Sequence, residues 1–336
     1  MSKYRKTYPR CKACNTILIS WGVTSSGKKR YRCQSCRQSS IYRVKKEPVL
    51  FALFRQYILF GHTYEMLSDE SDYSIGHLVR VFHRYLSDKP PLVTIERAVH
   101  DMTFLLVDGL WLKKWYVLMV YRRSKDLTIL HISVAGREAT SRIVDDLEQI
   151  SKKGFVFTGI VSDGGRGVVS AIRHVFPHIL HQICMAHMHR DATNALGVHP
   201  KDFRIKKLKR LADHMWLIES REALTWWSQQ IRHWIKQNYD FLQEYRQDTT
   251  GKWWYIHKGP RKTIRILKKL PQISFSFLRQ PLMPKTTNEI EASFGHLEKR
   301  WLAHRGLKTE RWEQFMKWFI YFYNLKQITG SKSKKD

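Results

Sequence analysis

Eighteen residues, Phe155 to Ile172 (FVFTGIVSDGGRGVVSAI), limit the fold more than any other stretch of this chain. An apolar, β-branched run carrying Phe155, Val156, Phe157, Ile160 and Val161 ends at Ser162-Asp163. Gly164-Gly165-Arg166-Gly167 then turns the chain, and Val168, Val169, Ile172 and Val175 follow at helical spacing. The pattern predicts a buried strand, a glycine turn and a helix, with a carboxylate at the strand's C-terminal end. Open α/β sheets gather ligands at that edge. A second strand, Thr103 to Val107, is also followed by a carboxylate and a glycine, Asp108-Gly109. Two carboxylates at two strand ends point to a shared cation.

The charge limits the partner. The chain has 336 residues, and 59 Lys+Arg against 29 Asp+Glu leave a net charge of +30. Such a surplus repels itself unless a polyanion neutralises it, so nucleic acid is the expected partner, ahead of an anionic membrane. Hydrophobic content of 43% with 12 Trp excludes a largely disordered chain. No apolar run approaches the roughly 20 residues of a membrane span. The basic N-terminus lacks the apolar core of a secretory signal, so a soluble cytoplasmic protein is expected.

Residues 1–46 hold 13 Lys+Arg and no acid. They contain Cys11-x2-Cys14 and Cys33-x2-Cys36 around an 18-residue segment that reads as a hairpin turning at Ser-Ser-Gly. Two thiolate pairs on two knuckles form a four-thiolate site, and one structural Zn2+ is the expected ion. Lys28, Lys29, Arg30, Arg32 and Arg37 around the pairs make this zinc ribbon a candidate DNA-contacting element; a purely structural clip is the plainer alternative. Residues 47–92 read as two or three short helices, with Leu50, Leu53, Phe54, Tyr57 and Ile58 on one face and a last helix over Ser74 to Leu86. They resemble a helix-turn-helix DNA-binding domain, although any small helical bundle gives the same pattern.

From residue 93 the chain turns β-rich. Strands are expected at Thr103 to Val107, Trp111 to Tyr121 and Leu127 to Val134, with turns at Asp108-Gly109 and Arg122 to Asp126. A helix over Glu138 to Ser151, the strand–turn–helix and a strand over Ile179 to Ile183 follow. The order β-β-β-α-β-α-β matches a ribonuclease H-like α/β core, a three-strand meander and then two crossovers, although periodicity alone does not select it over other α/β folds. Residues 93–189 form its first part and 190–284 an all-helical insertion rich in Trp. Most of these Trp residues are expected in a core; stacking of Trp253-Trp254 on bases is the lesser reading. Residues 285–328 return to the core as helices, and 329–336 form a basic disordered tail.

A third carboxylate should come from the helix beginning near Thr286-Thr287-Asn288, where Glu289, Glu291 and Glu298 are candidates. Thr286 with Glu289 fits a capping box, and Asn288 with Glu291 fits almost as well by spacing. Cys184-x2-His187, taken alone, is half a metal site or a buried thiol beside a satisfied histidine.

VDGLWLKK, SDGGRGVVSAI, CMAH and TTNEIEASFGHLEKR occur in that order and resemble the blocks of Mutator-like transposases, including bacterial insertion-sequence enzymes with a zinc-binding N-terminus. The resemblance covers roughly Phe104 to Asn324. It implies a catalytic glutamate in an Asn-x-x-Glu block, here Asn288 and Glu291, and so a triad of Asp108, Asp163 and Glu291. It also makes Cys184 and His187 the family's Cys-x2-His signature, expected to position structure or DNA rather than bind metal. Three such carboxylates can hold two Mg2+ or Mn2+ through oxygen ligands, and metal-assisted phosphodiester cleavage then needs no protein nucleophile. Gly164, Gly165 and Gly167 are expected to keep the turn slim where metal and DNA backbone approach. The implied activity is transposition: binding of terminal inverted repeats in double-stranded DNA, end cleavage and strand transfer by a homodimer on DNA. A structure-specific endonuclease on the same fold and an inactive DNA-binding regulator are the alternatives.

Overall fold

A computed structural model of the chain describes residues 10–25, 29–41, 46–91, 103–112, 116–135, 139–290, 307 and 309–332. Two compact units emerge: Met1–Tyr57 with Tyr64–His83, and Ile58–Thr63 with Arg84–Asp336.

The first unit begins with three antiparallel strands in order: β1 (Leu18–Val23), β2 (Lys29–Cys33) and β3 (Ser39–Ile41). Leu18 pairs directly with Cys33, and both are buried with Cys11, while Ile19, Trp21 and Val23 alternate onto the exposed face of β1. Three helices follow: α1 (Lys46–Phe60), α2 (Tyr64–Asp69) and α3 (Ile75–Ser87). The apolar face read from the sequence is the buried one, with Leu50, Leu53, Phe54 and Tyr57 all covered. Phe54, Tyr57 and Tyr64 surround Phe82 with ring centroids 5.3–5.7 Å away. Ser74 starts α3 by accepting the His77 N–H on its hydroxyl.

The second unit is built on a five-stranded sheet: β4 (Phe104–Leu112), β5 (Tyr116–Arg123), β6 (Ile129–Ala135), β7 (Gly159–Ser162) and β8 (Leu180–Ile183), in the order β6-β5-β4-β7-β8. β4, β5 and β6 are an antiparallel meander; β7 and β8 run parallel to β4. Helix α4 (Thr140–Lys152) leads to β7, and α5 (Arg166–Val175) leads to β8. Ile143, Leu147 and Ile150 of α4 with Val168, Ala171 and Ile172 of α5 pack on Leu105, Val107, Met119, Tyr121 and Ile160. This is one face of the sheet. By the two-residue period of a strand, Leu106, Asp108 and Val161 belong to the other face.

Two strand readings need correction. Asp108-Gly109 is no turn: β4 continues to Leu112, with Asp108 opposite Val120 and Gly109 opposite Met119. The apolar residues Leu110, Trp111 and Leu112 keep pairing with β5 and outweigh the local preference of Asp-Gly for a turn. β7 is also shorter than its apolar run. Phe155 and Phe157 pack against the core as a lead-in, Val156 is exposed, and pairing starts only at Gly159.

Beyond β8 lie α6 (Met185–Asn194), α7 (Phe203–Asp213), α8 (Arg221–Gln237), α9 (Tyr239–Gln243) and α10 (Lys258–Ile273). The expected all-helical segment is interrupted by a hairpin, β9 (Tyr245–Gln247) with β10 (Trp253–Tyr255), whose turn carries Gly251 at φ 80°. Trp227 and Trp234 are buried, as core tryptophans should be, whereas Trp226 and Trp253 are more than half exposed. The last helix, α11 (Thr309–Lys332), runs past Gly330, so the expected disordered tail starts too early; residues 333–336 lie outside the described residues. Buried Asn324 of α11 caps the edge of the meander: its amide bonds both the N–H and the C=O of Ile129, at 2.9 and 2.8 Å.

Candidate active site and metal centre

The register of β4 and β7 places the two strand carboxylates side by side. Val107 pairs with Ser162, so Asp108 and Asp163 take the next step along adjacent parallel strands. Neighbouring strands lie about 4.8 Å apart. Both positions continue the sheet face away from α4 and α5.

A strap from far along the sequence closes over this edge. Cys184, the N-cap of α6, is tied back by its N–H to the Ser162 carbonyl at 2.7 Å. Met185 N–H bonds the Lys285 carbonyl at 3.0 Å, and Thr287 N–H points to the Cys184 sulfur at 3.3 Å. The Thr287 hydroxyl then donates to Asp108 Oδ2 at 2.7 Å, while Asp108 Oδ1 accepts the Gly109 N–H at 2.9 Å. A helix is described from Asn288, and Thr286 Oγ1 accepts the Asn288 N–H at 3.4 Å, the bond a capping Thr286 makes. Asn288 is exposed and Ile290 is buried. Buried Arg122 of β5 holds the same segment through the Glu289 carbonyl. Glu291 lies outside the described residues, as does Glu298.

The electrostatics follow from this packing. Asp108 is buried, and burial pushes its carboxyl up to about 6, against the pull of the Thr287 hydroxyl and of His187; Asp163 adds repulsion. His187, one turn into α6, is pushed up to about 9, first by hydrogen bonding to the Cys184 thiol and then by the charges of Asp108 and Asp163. Burial opposes ionisation of Cys184, yet His187 and Thr287 bonding holds its thiol below the ordinary value. The structure therefore brings Asp108, Asp163, Cys184 and His187 into one electrostatic cluster. Thr287 is a member of this cluster that sequence reading missed, because the neighbouring Thr286 took the capping role. Asp163 Oδ1 accepts the Gly165 N–H at 3.1 Å, which shapes the turn. A Cβ at Gly164 would press on Met188 at 3.0 Å and Ile183 at 3.1 Å, so side-chain packing also favours a glycine here.

The second cluster is at the N-terminus. The sulfurs of Cys11, Cys14, Cys33 and Cys36 all lie within 4.8 Å of one another, the arrangement of a tetrathiolate metal site, and it is the one His/Cys/Asp/Glu cluster of this kind among the described residues. The two knuckles are built alike. Cys11 N–H bonds the Thr16 carbonyl and Cys33 N–H the Gln38 carbonyl, at 2.8 and 2.9 Å. The residue after each pair, Asn15 and Arg37, sits in the left-handed region at φ 57° and 60°. The four thiols share their protons: hydrogen bonds from the Thr16 side chain and backbone, with Cys33, hold Cys14 down at about 6, while, against the pull of the Gln38 N–H, Cys11 and burial push Cys36 up to about 12. Of the candidate DNA-contacting residues, Lys29, Arg30 and Arg37 are exposed, and Arg32 stacks on Trp21 at 4.5 Å; Lys28 lies outside the described residues.

Residues 122–266 match the family model described as "Transposase, Mutator family". This segment, 145 of the 336 residues, is similar to the transposase domain of that family. A 100-residue stretch is also 33% identical to the transposase for insertion sequence element ISRM5 of Rhizobium meliloti (strain 1021), covering 30% of this chain and 25% of that protein. The chain thus aligns with about a quarter of that relative's length. The matched family segment contains Asp163, Cys184 and His187, and Asp108 stands 14 residues ahead of it. Among the described residues no helix is long and apolar enough to cross a membrane.

Proposed function

We propose that the chain is a DDE transposase that binds the terminal inverted repeats of its insertion sequence, cleaves the DNA ends and joins them to target DNA. The observation that carries this reading is the pairing of Val107 with Ser162, which sets Asp108 and Asp163 side by side under the strap from Lys285 to Thr287. The meander followed by two parallel strands is read as a ribonuclease H-like core, interrupted between α6 and Lys285 by the helical segment with its hairpin.

The donors suit divalent metal. Asp108 and Asp163 offer hard carboxylate oxygens, and Asp108 in particular is a buried carboxylate whose ionisation is disfavoured without a cation beside it. Glu291, which follows Ile290 directly, is the proposed third ligand. Two Mg2+ or Mn2+ ions bound there would supply charge stabilisation at the attacking and leaving oxygens of an in-line displacement. The chain's own residues do the rest. Thr287 fixes one Asp108 oxygen, leaving Oδ1 turned toward the Gly109 amide. His187 supplies a positive charge within reach of both carboxylates, and Cys184 holds His187 in place. Zn2+ on the four thiolates would rigidify the ribbon, where Arg30 and Arg32 share a face with Trp21 for contact with DNA. Double-stranded DNA and a second copy of the chain, needed to hold two ends, are the proposed partners.

The test is cleavage and strand transfer of a labelled terminal-repeat oligonucleotide in Mg2+. Asp163→Asn should abolish both and leave repeat binding within about twofold. Cleavage by that variant would refute the site, and hydrolysis without strand transfer by the wild type would make the chain a nuclease on the same fold.

A further inference from the structure

A cleft of about 550 Å³ opens at Gly164, the residue after Asp163, between α5, β8 and α10. Its rim is cationic: Arg166 and Arg173 from α5 face Arg265 and Lys269 from α10. All four are exposed, and among the described residues none has a carboxylate within ion-pair distance. The helices carry no acid at all, α5 reading RGVVSAIRHV and α10 KGPRKTIRILKKLPQI. Between the rims the floor is mostly apolar, built from the partly exposed Val169, Phe176, Ile179 and Ile266, with His181 of β8 among them. The spacing explains how both characters coexist. Arg166 and Arg173 are seven residues apart and Arg265 and Lys269 four, so each pair lines one side of its helix. Val169 lies between the first pair, and Ile266 follows Arg265 toward the sheet.

A mostly apolar floor between two unpaired cationic rims fits one strand of nucleic acid and poorly fits anything else. Phosphates meet the rims, and bases lie on the apolar surface that a duplex would leave exposed. The volume falls in the range of small-ligand sites, roughly 300–1,000 Å³, which holds one or two nucleotides and excludes a double helix. An acidic peptide would satisfy the cations but has no use for the floor.

We propose that this cleft takes an unpaired stretch of DNA directly beside the cleavage point, so that the end is opened into single strands when bound. The inference rests on the transposase reading for its ligand class. Arg173 and Lys269 are then positioning residues that guide the strand toward Asp163.

The test uses the full chain, with fluorescence anisotropy of fluorescein-labelled oligothymidine and of a duplex of equal length, across a salt series. Arg173→Ala with Lys269→Ala, both on exposed positions, should weaken oligothymidine binding about tenfold while duplex affinity changes less than about twofold. The slope of log affinity against log salt should shrink by about 1.4 for the single strand, two phosphate contacts at roughly 0.7 each. Ile266→Asp, which places a carboxylate on the floor, should produce the same selective loss. Unchanged single-strand affinity, equal loss on the duplex, or competition by polyglutamate as strong as by oligothymidine would overturn the proposal. The two readings fail separately. If Asp163→Asn still cleaves, the catalytic assignment falls while the single-strand measurement stands. If the cleft variants bind normally while Asp163→Asn is inactive, only the cleft assignment falls.

Discussion

Replacing Asp108 with asparagine should make the metal-free protein more stable while abolishing its chemistry. Burial lifts the Asp108 carboxyl from an ordinary 3.8 to about 6, net of the opposing pull from Thr287 and His187. A folded-state value raised in this way stabilises the fold fully below pH 3.8, and the contribution is lost as pH rises through 6. The gap of about two units corresponds to about 3 kcal/mol, so above pH 7 the ionised side chain weakens the fold by about that amount. Asparagine is neutral at every pH and still accepts the Thr287 hydroxyl. For a unit of this size, Asp108→Asn should raise the melting temperature by roughly 6–12 °C at pH 8 in EDTA, and the difference should vanish near pH 4. Adding Mg2+ at pH 8 should stabilise the wild type and leave the variant unmoved. Thermal unfolding followed by circular dichroism at both pH values checks this. A variant no more stable than wild type at pH 8, or equal stabilisation of both by Mg2+, would refute the account of a buried carboxylate awaiting a cation.

Other outcomes follow from the same packing. Zinc analysis should return one ion per chain, and Cys33→Ser should lose it and weaken terminal-repeat affinity before it affects Mg2+-dependent cleavage of high-concentration substrate; unchanged affinity would reduce the ribbon to a clip. Asn324→Ala leaves both main-chain groups of buried Ile129 without their partner and should cost about 2–4 kcal/mol in urea unfolding; a variant as stable as the wild type would refute this cap. Gly259→Ala should be poorly tolerated because its new Cβ would collide with the Ala195 carbonyl, a backbone atom that cannot swing aside; a variant of normal stability would show that α10 can shift against α6.

Local patterns carried far in this chain. The run from Ile160 through Ile172 declares a strand, a turn and a helix because burial and periodicity agree within a dozen residues. Cys11, Cys14, Cys33 and Cys36 declare a metal site because two knuckles and a hairpin suffice to bring four sulfurs together. The helix expected over Glu138 to Ser151, observed as α4, was legible from its local pattern too. The hairpin of Tyr245–Gln247 with Trp253–Tyr255 was not, since two three-residue strands leave too short a period to stand out among helices. Asp108 was read as a turn residue, although its strand runs on; only pairing with Val120 and the apolar residues beyond it decides that.

The sequence alone therefore determined which residues are chemically able to act, since ligand type and local spacing are properties of short segments. Their meeting was decided by tertiary structure. Thr287 reaches Asp108 across 179 residues and Cys184 across 103, and no local period encodes either contact. They exist because β4 and β7 align in register, because α6 is tied to Ser162, and because Arg122 holds the returning segment against the sheet. Loop closure on that scale is driven by burial over the whole unit, and burial is a sum that no short window of sequence displays.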